Sequence, residues 1–123
     1  GIMKYSGLAA GVSYAFVEVS TATTLPIFTF LSAGLVNIFV PSGGGQWAVQ
    51  GPIAVEAAQA LNVPIPKVVM ALSYGDQLTN MLQPFWALPL LGITKLKAKD
   101  ILPYSFIIML VGVVIFITSL LLF

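Results

Sequence analysis

Two short polar stretches hold the groups of this chain that could do chemistry. They are Pro41-Ser42-Gly43-Gly44-Gly45-Gln46 and Gly75-Asp76-Gln77-Leu78-Thr79-Asn80. The first has no charge, and its consecutive glycines let backbone N–H groups approach a guest without side chains in the way. If a helix begins just beyond them, its free N–H groups and the positive end of its dipole aim at one point, where an anion is the natural guest. The second stretch places an acid, Asp76, within about one helical turn of Thr79 and Asn80. The nearest lysines, Lys67 and Lys95, lie 9 and 19 residues away, so no local ion pair is visible. An acid between short apolar segments is a candidate functional group, whereas a charged loop at a membrane surface is its plain alternative. The chain has no histidine and no cysteine, and it lacks a Gly-x-Ser-x-Gly motif. Ser42 therefore has no visible base. No catalytic residue and no resident cofactor are expected, and the chain is not read as an enzyme.

The elements that must position these groups are apolar. Of 123 residues, 59% are hydrophobic and 7% charged, against about 25% charged in a soluble domain; mean hydropathy is +1.02. The expected class is an all-α integral membrane protein with the lipid bilayer as a partner. A net charge of +1 gives no reason to invoke nucleic acid. The chain opens on Gly1 without a signal-peptide pattern, and we read it as one transmembrane unit, 1–123, belonging to a longer chain. Ile101 to Phe123 carries no charge. At 1.5 Å per residue it reaches roughly 34 Å, enough to cross a hydrocarbon core of about 30 Å. Asp100 is the expected N-cap of this last span, with Pro103 in its first turn. The other apolar runs are shorter: Thr24 to Val40, Trp47 to Leu61, Pro66 to Tyr74, and Pro84 to Ile93. Residues 62–66 read as a turn, and 1–23 as a preceding or interfacial helix.

Bare backbone in lipid has no hydrogen-bond partner, so breaks at membrane depth survive only inside protein or beside water. Two Gly- or Pro-interrupted pairs of short helices are the sequence pointer to a transporter site. The expected elements are a re-entrant helical hairpin over 24–61 with its tip at Ser42 to Gln46, a discontinuous helix over 66–93, and the last span over 101–123. A surface loop at 41–46 is the alternative, against which its lack of charge counts. Asn37 is read first as a core hydrogen-bonder. Trp47, Phe85 and Trp86 are read equally as packing, interfacial anchors or pocket walls.

The segments STATTLPIFTFLSAGLVNIFVPSGGGQWAVQGPI and YGDQLTNMLQPFWALPLLGI resemble the bacterial short-chain fatty acid transporter family, which is similar to a larger superfamily of dicarboxylate and citrate carriers. The resemblance covers nearly the whole chain. It implies half of an inverted-repeat carrier, working as a homodimer when full-length, in the inner membrane with several spans. The helix over 66–93 would be unwound across Gly75 to Asn80. The substrate, a small carboxylate such as acetoacetate or butyrate, would be bound by Ser42, Gly43, Gly44, Gly45, Gln46, Thr79 and Asn80. The coupling ion, sodium or a proton, would be held by Asp76, Thr79 and Asn80, with Asp76 as the sodium ligand. Relatives in the superfamily carry Ser-Asn-Thr at the hairpin tip. Here Ser42 matches the serine, but Gly43 and Gly44 replace the other two, which leaves proton coupling open beside sodium. A C4-dicarboxylate or amino-acid carrier is the alternative within transport. A channel with a glycine-lined filter is the alternative outside it.

Lys95, Lys97 and Lys99 form the basic cluster between two apolar segments, so the positive-inside rule puts them in the cytoplasm. The last span then runs outward, and the hairpin enters from outside. A cysteine introduced as Ala98→Cys in the full-length protein should react with a membrane-impermeant thiol reagent only after the membrane is opened. Labelling in intact cells would reverse this orientation.

Overall fold

The computed structural model describes residues 21–83 and 87–122, together with Gly7, Gly11, Ala15 and Glu18. The expectation for 1–23 falls mostly outside these residues, as do Pro84, Phe85 and Trp86. Five helices follow one another among the described residues: α1 (Leu25–Phe39), α2 (Gly43–Ala60), α3 (Ile65–Asn80), α4 (Leu88–Thr94) and α5 (Ala98–Leu122). Of these, α5 is long and apolar enough to cross a membrane.

Local chemistry sets most of the boundaries. Pro26 sits in the first turn of α1, where its missing N–H costs nothing. Pro41 biases Val40 away from helical backbone, and α1 stops at Phe39. α2 ends in a Schellman turn. Asn62 adopts the left-handed conformation (φ 56°), and the Val63 N–H donates back to the Ala58 carbonyl at 2.8 Å. Lys97 rather than Asp100 precedes α5. Asp100 is the third helical residue and reaches back to accept from the Lys97 N–H at 3.0 Å, half of a capping box. Pro103 consequently lies in the second turn of α5, not the first.

Two expected breaks are corrected. The glycine run is not an open tip. Ser42 caps α2, accepting from the Gly45 N–H at 3.3 Å, and Gly43 to Gly45 form the first helical turn. The turn of the hairpin shrinks to Val40–Ser42. Helical glycine costs about 1 kcal/mol per residue relative to alanine. The compensation is tertiary: Gln46, fully buried, donates to the Ala33 carbonyl of α1 at 2.8 Å and pins the start of α2. The second correction concerns residues 75–80, which are helical to Asn80, so the interruption begins beyond Asn80, in the turn at 81–83. Gly75 is required there by packing rather than by unwinding. A Cβ on it would collide with the Phe30 carbonyl oxygen and stand 2.7 Å from the Ala33 Cβ and 2.8 Å from the Gly34 nitrogen.

That contact is the centre of the fold. Gly75 lies against Phe30 to Gly34, while Thr79 and Asn80 meet Gly34 and Asn37, so α1 and α3 run parallel. α2 returns antiparallel, with Gln46 on Ala33 and Gln50 on Ser32. α5 is antiparallel to α3. Leu78 faces Gly112, and Tyr74 stacks on Phe116 at 4.5 Å. Leu120 shares a groove with Lys67 and Met70. Leu25, Ala33, Ala54, Ala57, Ala58, Val63, Val68 and Leu72 make the core between α1, α2 and α3. Gly112 is near the middle of the 25-residue α5. The end of α3 and the turn of the hairpin therefore lie level with the middle of α5.

Gly75→Ala should force α1 and α3 apart and destabilise the full-length protein by about 1–3 kcal/mol. The readout is thermal unfolding of purified protein in detergent. Gly92→Ala, where a Cβ meets nothing within 4 Å, should leave the transition unchanged or slightly raised.

Candidate functional site

Three helix ends meet at this level: the C-termini of α1 and α3 and the N-terminus of α2. A helix C-terminus presents free carbonyls and partial negative charge, and an N-terminus presents free N–H groups and partial positive charge. The junction thus has two electrostatic faces.

The carbonyl face is organised by Asn37, which is fully buried on the last turn of α1. Its Nδ2 donates to the Asp76 backbone oxygen at 2.9 Å, to Thr79 Oγ1 at 2.8 Å and to Asn80 Oδ1 at 2.8 Å. An amide nitrogen carries two hydrogens, so three oxygens share them. Gln83 Nε2 in turn donates to the Asn37 carbonyl at 3.2 Å. Two buried oxygens at this junction, Asn37 Oδ1 and Asp76 Oδ1, have no partner. A cluster of oxygens gathered on one amide, with others left unpaired, suits a small cation or a proton.

The N–H face begins at Ser42. Its hydroxyl and carbonyl satisfy Gly45 and Gln46. The N–H groups of Gly43 and Gly44, as first-turn donors, have no acceptor within the helix. Gly43 faces Asp76, since a Cβ built on it would lie 3.8 Å from Asp76 Oδ2. Between α2 and α3 opens a cleft of ≈ 450 Å³ lined by Gly43, Trp47, Val69, Leu72, Ser73, Asp76 and Gln77. Asp76 is half-buried, and its Oδ2 has only a long contact from Asn80 Nδ2 at 3.5 Å.

The structure therefore brings Gly43, Asp76 and Asn80 together and distributes the other expected residues around them. Ser42 is the cap. Gly45 spends its N–H on that cap, and a Cβ at Gly44 would meet open space. Gln46 turns away from the cleft into the hairpin. There its Nε2 also donates to Gln50 Oε1 at 2.7 Å, and Gln50 reaches Ser32. Thr79 packs its methyl toward Gly34 and is held by Asn37. Asn37 is indeed a core hydrogen-bonder, but the core it serves includes the backbone of Asp76. Trp47 is a cleft wall; Phe85 and Trp86 lie outside the described residues. Ser73 and Gln77 were not expected. Their spacing from Asp76 on α3, three residues before and one after, was the available signal once that segment is known to be one helix.

The family model described as "Short chain fatty acid transporter" matches residues 1–123. Two curated proteins that carry the provisional name short-chain fatty acid transporter are similar to the chain. One, from Escherichia coli (strain K12), is 47% identical over 122 residues, 99% of this chain and 28% of its own length. The other, from Haemophilus influenzae, is 43% identical over 119 residues, 97% of this chain and 27% of its own length. The chain thus spans little more than a quarter of these relatives. No solved structure matches it.

If the cleft is open to water in the full-length protein, Ser73→Cys, at an exposed position on its wall, should be modified by a water-soluble thiol reagent. Ala71→Cys, buried between α1, α3 and α5, should resist, because the reactive thiolate does not form in an apolar site. Equal rates at the two positions would contradict an aqueous cleft.

Proposed function

The chain belongs to the short-chain fatty acid transporter family, and from that premise we propose that it forms one half of the binding site of a secondary carrier for short-chain carboxylates, driven by a co-transported cation. The observation that carries this reading is the face-to-face placement of the α2 N-terminus and the Asp76 carboxylate in one cleft, level with the middle of α5. The hairpin α1–α2 is re-entrant in this reading. The helices α3 and α4 are the two halves of a discontinuous transmembrane helix, and α5 is the last span in the inner membrane. Short helices of 15, 18 and 16 residues that end mid-depth at a polar junction support it.

The same geometry supplies a coupling mechanism. The free N–H groups of Gly43 and Gly44 and the α2 dipole favour a carboxylate, and in their neighbourhood one is already present, Asp76. Two carboxylates about 4 Å apart repel by about 4 kcal/mol at an effective dielectric of 20. A substrate carboxylate can join Asp76 only if a cation cancels one of the charges. A proton would take the Asp76 carboxyl itself. Sodium would use that carboxyl with the Thr79 and Asn80 oxygens and the carbonyl end of α3, the polar set that Asn37 gathers. Either way the anion and the cation bind together and cross together. The remaining part of the site comes from the rest of the same carrier chain, and the full-length carrier works as a homodimer.

The test is Asp76→Asn in the full-length carrier reconstituted in vesicles, with labelled butyrate and with sodium and proton gradients imposed separately. The variant keeps the size of the side chain and removes its charge. Gradient-driven accumulation should be lost, while butyrate exchange across the membrane survives. Normal accumulation under both gradients would remove Asp76 from the coupling site.

A further inference from the structure

The cleft has a polar end and an apolar end. Gly43, Asp76 and Gln77 line the first; Trp47, Val69 and Leu72 line the second, with the exposed Ser73 between them. The order along the helices is consistent. From Gly43 to Trp47 is four residues, about 6 Å along α2 at 1.5 Å each, and α3 runs the opposite way from Asp76 back to Val69. A short carboxylate whose head meets the α2 N-terminus would extend its alkyl chain toward the indole.

The position of that indole is set by Gly51, one turn further along α2. A Cβ on Gly51 would fall 2.7 Å from Trp47 Cδ2, 2.8 Å from Cε2 and 3.0 Å from Cε3. Those carbons belong to the benzene ring of the indole, two of them at the fusion bond, so the ring lies directly on the bare glycine backbone. Trp47 is 42% exposed and is not held by the core. Nor is it placed as an interfacial anchor, because it stands one turn from the hairpin's end, level with the middle of α5, whereas aromatic belts lie at the two surfaces.

We propose that the Trp47 indole, laid across Gly51, is the wall that sets the longest acyl chain the Gly43–Asp76 cleft accepts. This rests on the reading of the cleft as a carboxylate site. Gly51 acts as a positioning residue: it touches no substrate but keeps the ring flat against α2. Any side chain there must move the ring, because its contact is a rigid ring on the same helix rather than a flexible chain end.

The experiment measures competition against labelled butyrate uptake by the full-length carrier in vesicles, using unlabelled straight-chain acids from acetate to octanoate. Wild type should show a cut-off, with octanoate a poor competitor. Trp47→Ala should improve octanoate relative to butyrate by about tenfold, within the range that one or more methylenes contribute in a fitted pocket; Trp47→Phe should fall between. Gly51→Ala should shift the same ratio in the Trp47 background and leave it unshifted in the Trp47→Ala background, because its effect passes through the ring. A general structural role for Gly51 would persist in both backgrounds and would overturn its part. An unchanged ratio in Trp47→Ala and Trp47→Phe, with wild-type uptake intact, would overturn the proposal while leaving the carboxylate site standing. Failure of wild type to take up butyrate, or its failure to be inhibited by any of the acids, would instead remove the underlying reading of the cleft.

Discussion

Gly75 permits a backbone-to-backbone approach of α1 and α3, and the polar junction depends on it. Without a Cβ, α3 settles onto the Phe30 carbonyl and the Ala33–Gly34 backbone. Small residues at a helix crossing allow this intimacy, which in lipid replaces the hydrophobic drive that operates in water. The crossing fixes the parallel register of the two helices. Only in that register does Asn37 stand opposite the last turn of α3, within reach of the Asp76 carbonyl, Thr79 and Asn80. The aromatic contacts on the other side of α3, Tyr74 on Phe116 and Phe30 edge-on to Phe116 at 6.1 Å, hold α5 against the same pair.

A second constraint follows from the depth of the junction. Helix ends that meet beside the middle of α5 leave backbone groups that need partners. Here those partners are side-chain amides and hydroxyls. Asn37 serves the end of α3, Gln83 serves the Asn37 carbonyl, Ser42 serves the start of α2, and Gln46 ties α2 to an α1 carbonyl. This explains the chemistry of the polar islands: they are rich in Asn, Gln, Ser and Thr and poor in charge. Asp76 is the exception, half-buried beside the N-terminus of α2, where its carboxylate faces a positive helix end.

The division of labour between the two polar stretches differs from a simple reading of two unwound tips. The glycines work as the first turn of a helix whose outer edge is bare. The acid works from within a continuous helix, at the place where its carbonyls begin to run out of donors. The electrostatic sense of a helix end depends on helix direction and not on whether the neighbouring backbone is unwound.

Sequence alone determined the all-helical class, the long apolar helix toward the C-terminus, the helical nature of 25–39, the turn around Asn62, and the two polar stretches as the places of interest. Each follows from local physics: apolar run length, proline and asparagine backbone preferences, and the cost of isolated polar groups in lipid. What it misjudged was the state of Gly43–Gly45 and of residues 75–80. Local propensity favours breaking a helix at such glycines by about 1 kcal/mol each. The decision was tertiary in both cases: a buried Gln46 on the Ala33 carbonyl, and a bare Gly75 at a helix crossing. Sequence suggested Asn37 as a core hydrogen-bonder and left Trp47 open between packing, anchor and pocket wall, but the partners of both were out of its reach. Their partners are 39 residues away across a helix crossing in one case, and in the other a glycine on the same helix whose meaning appears only once the ring is seen lying on it.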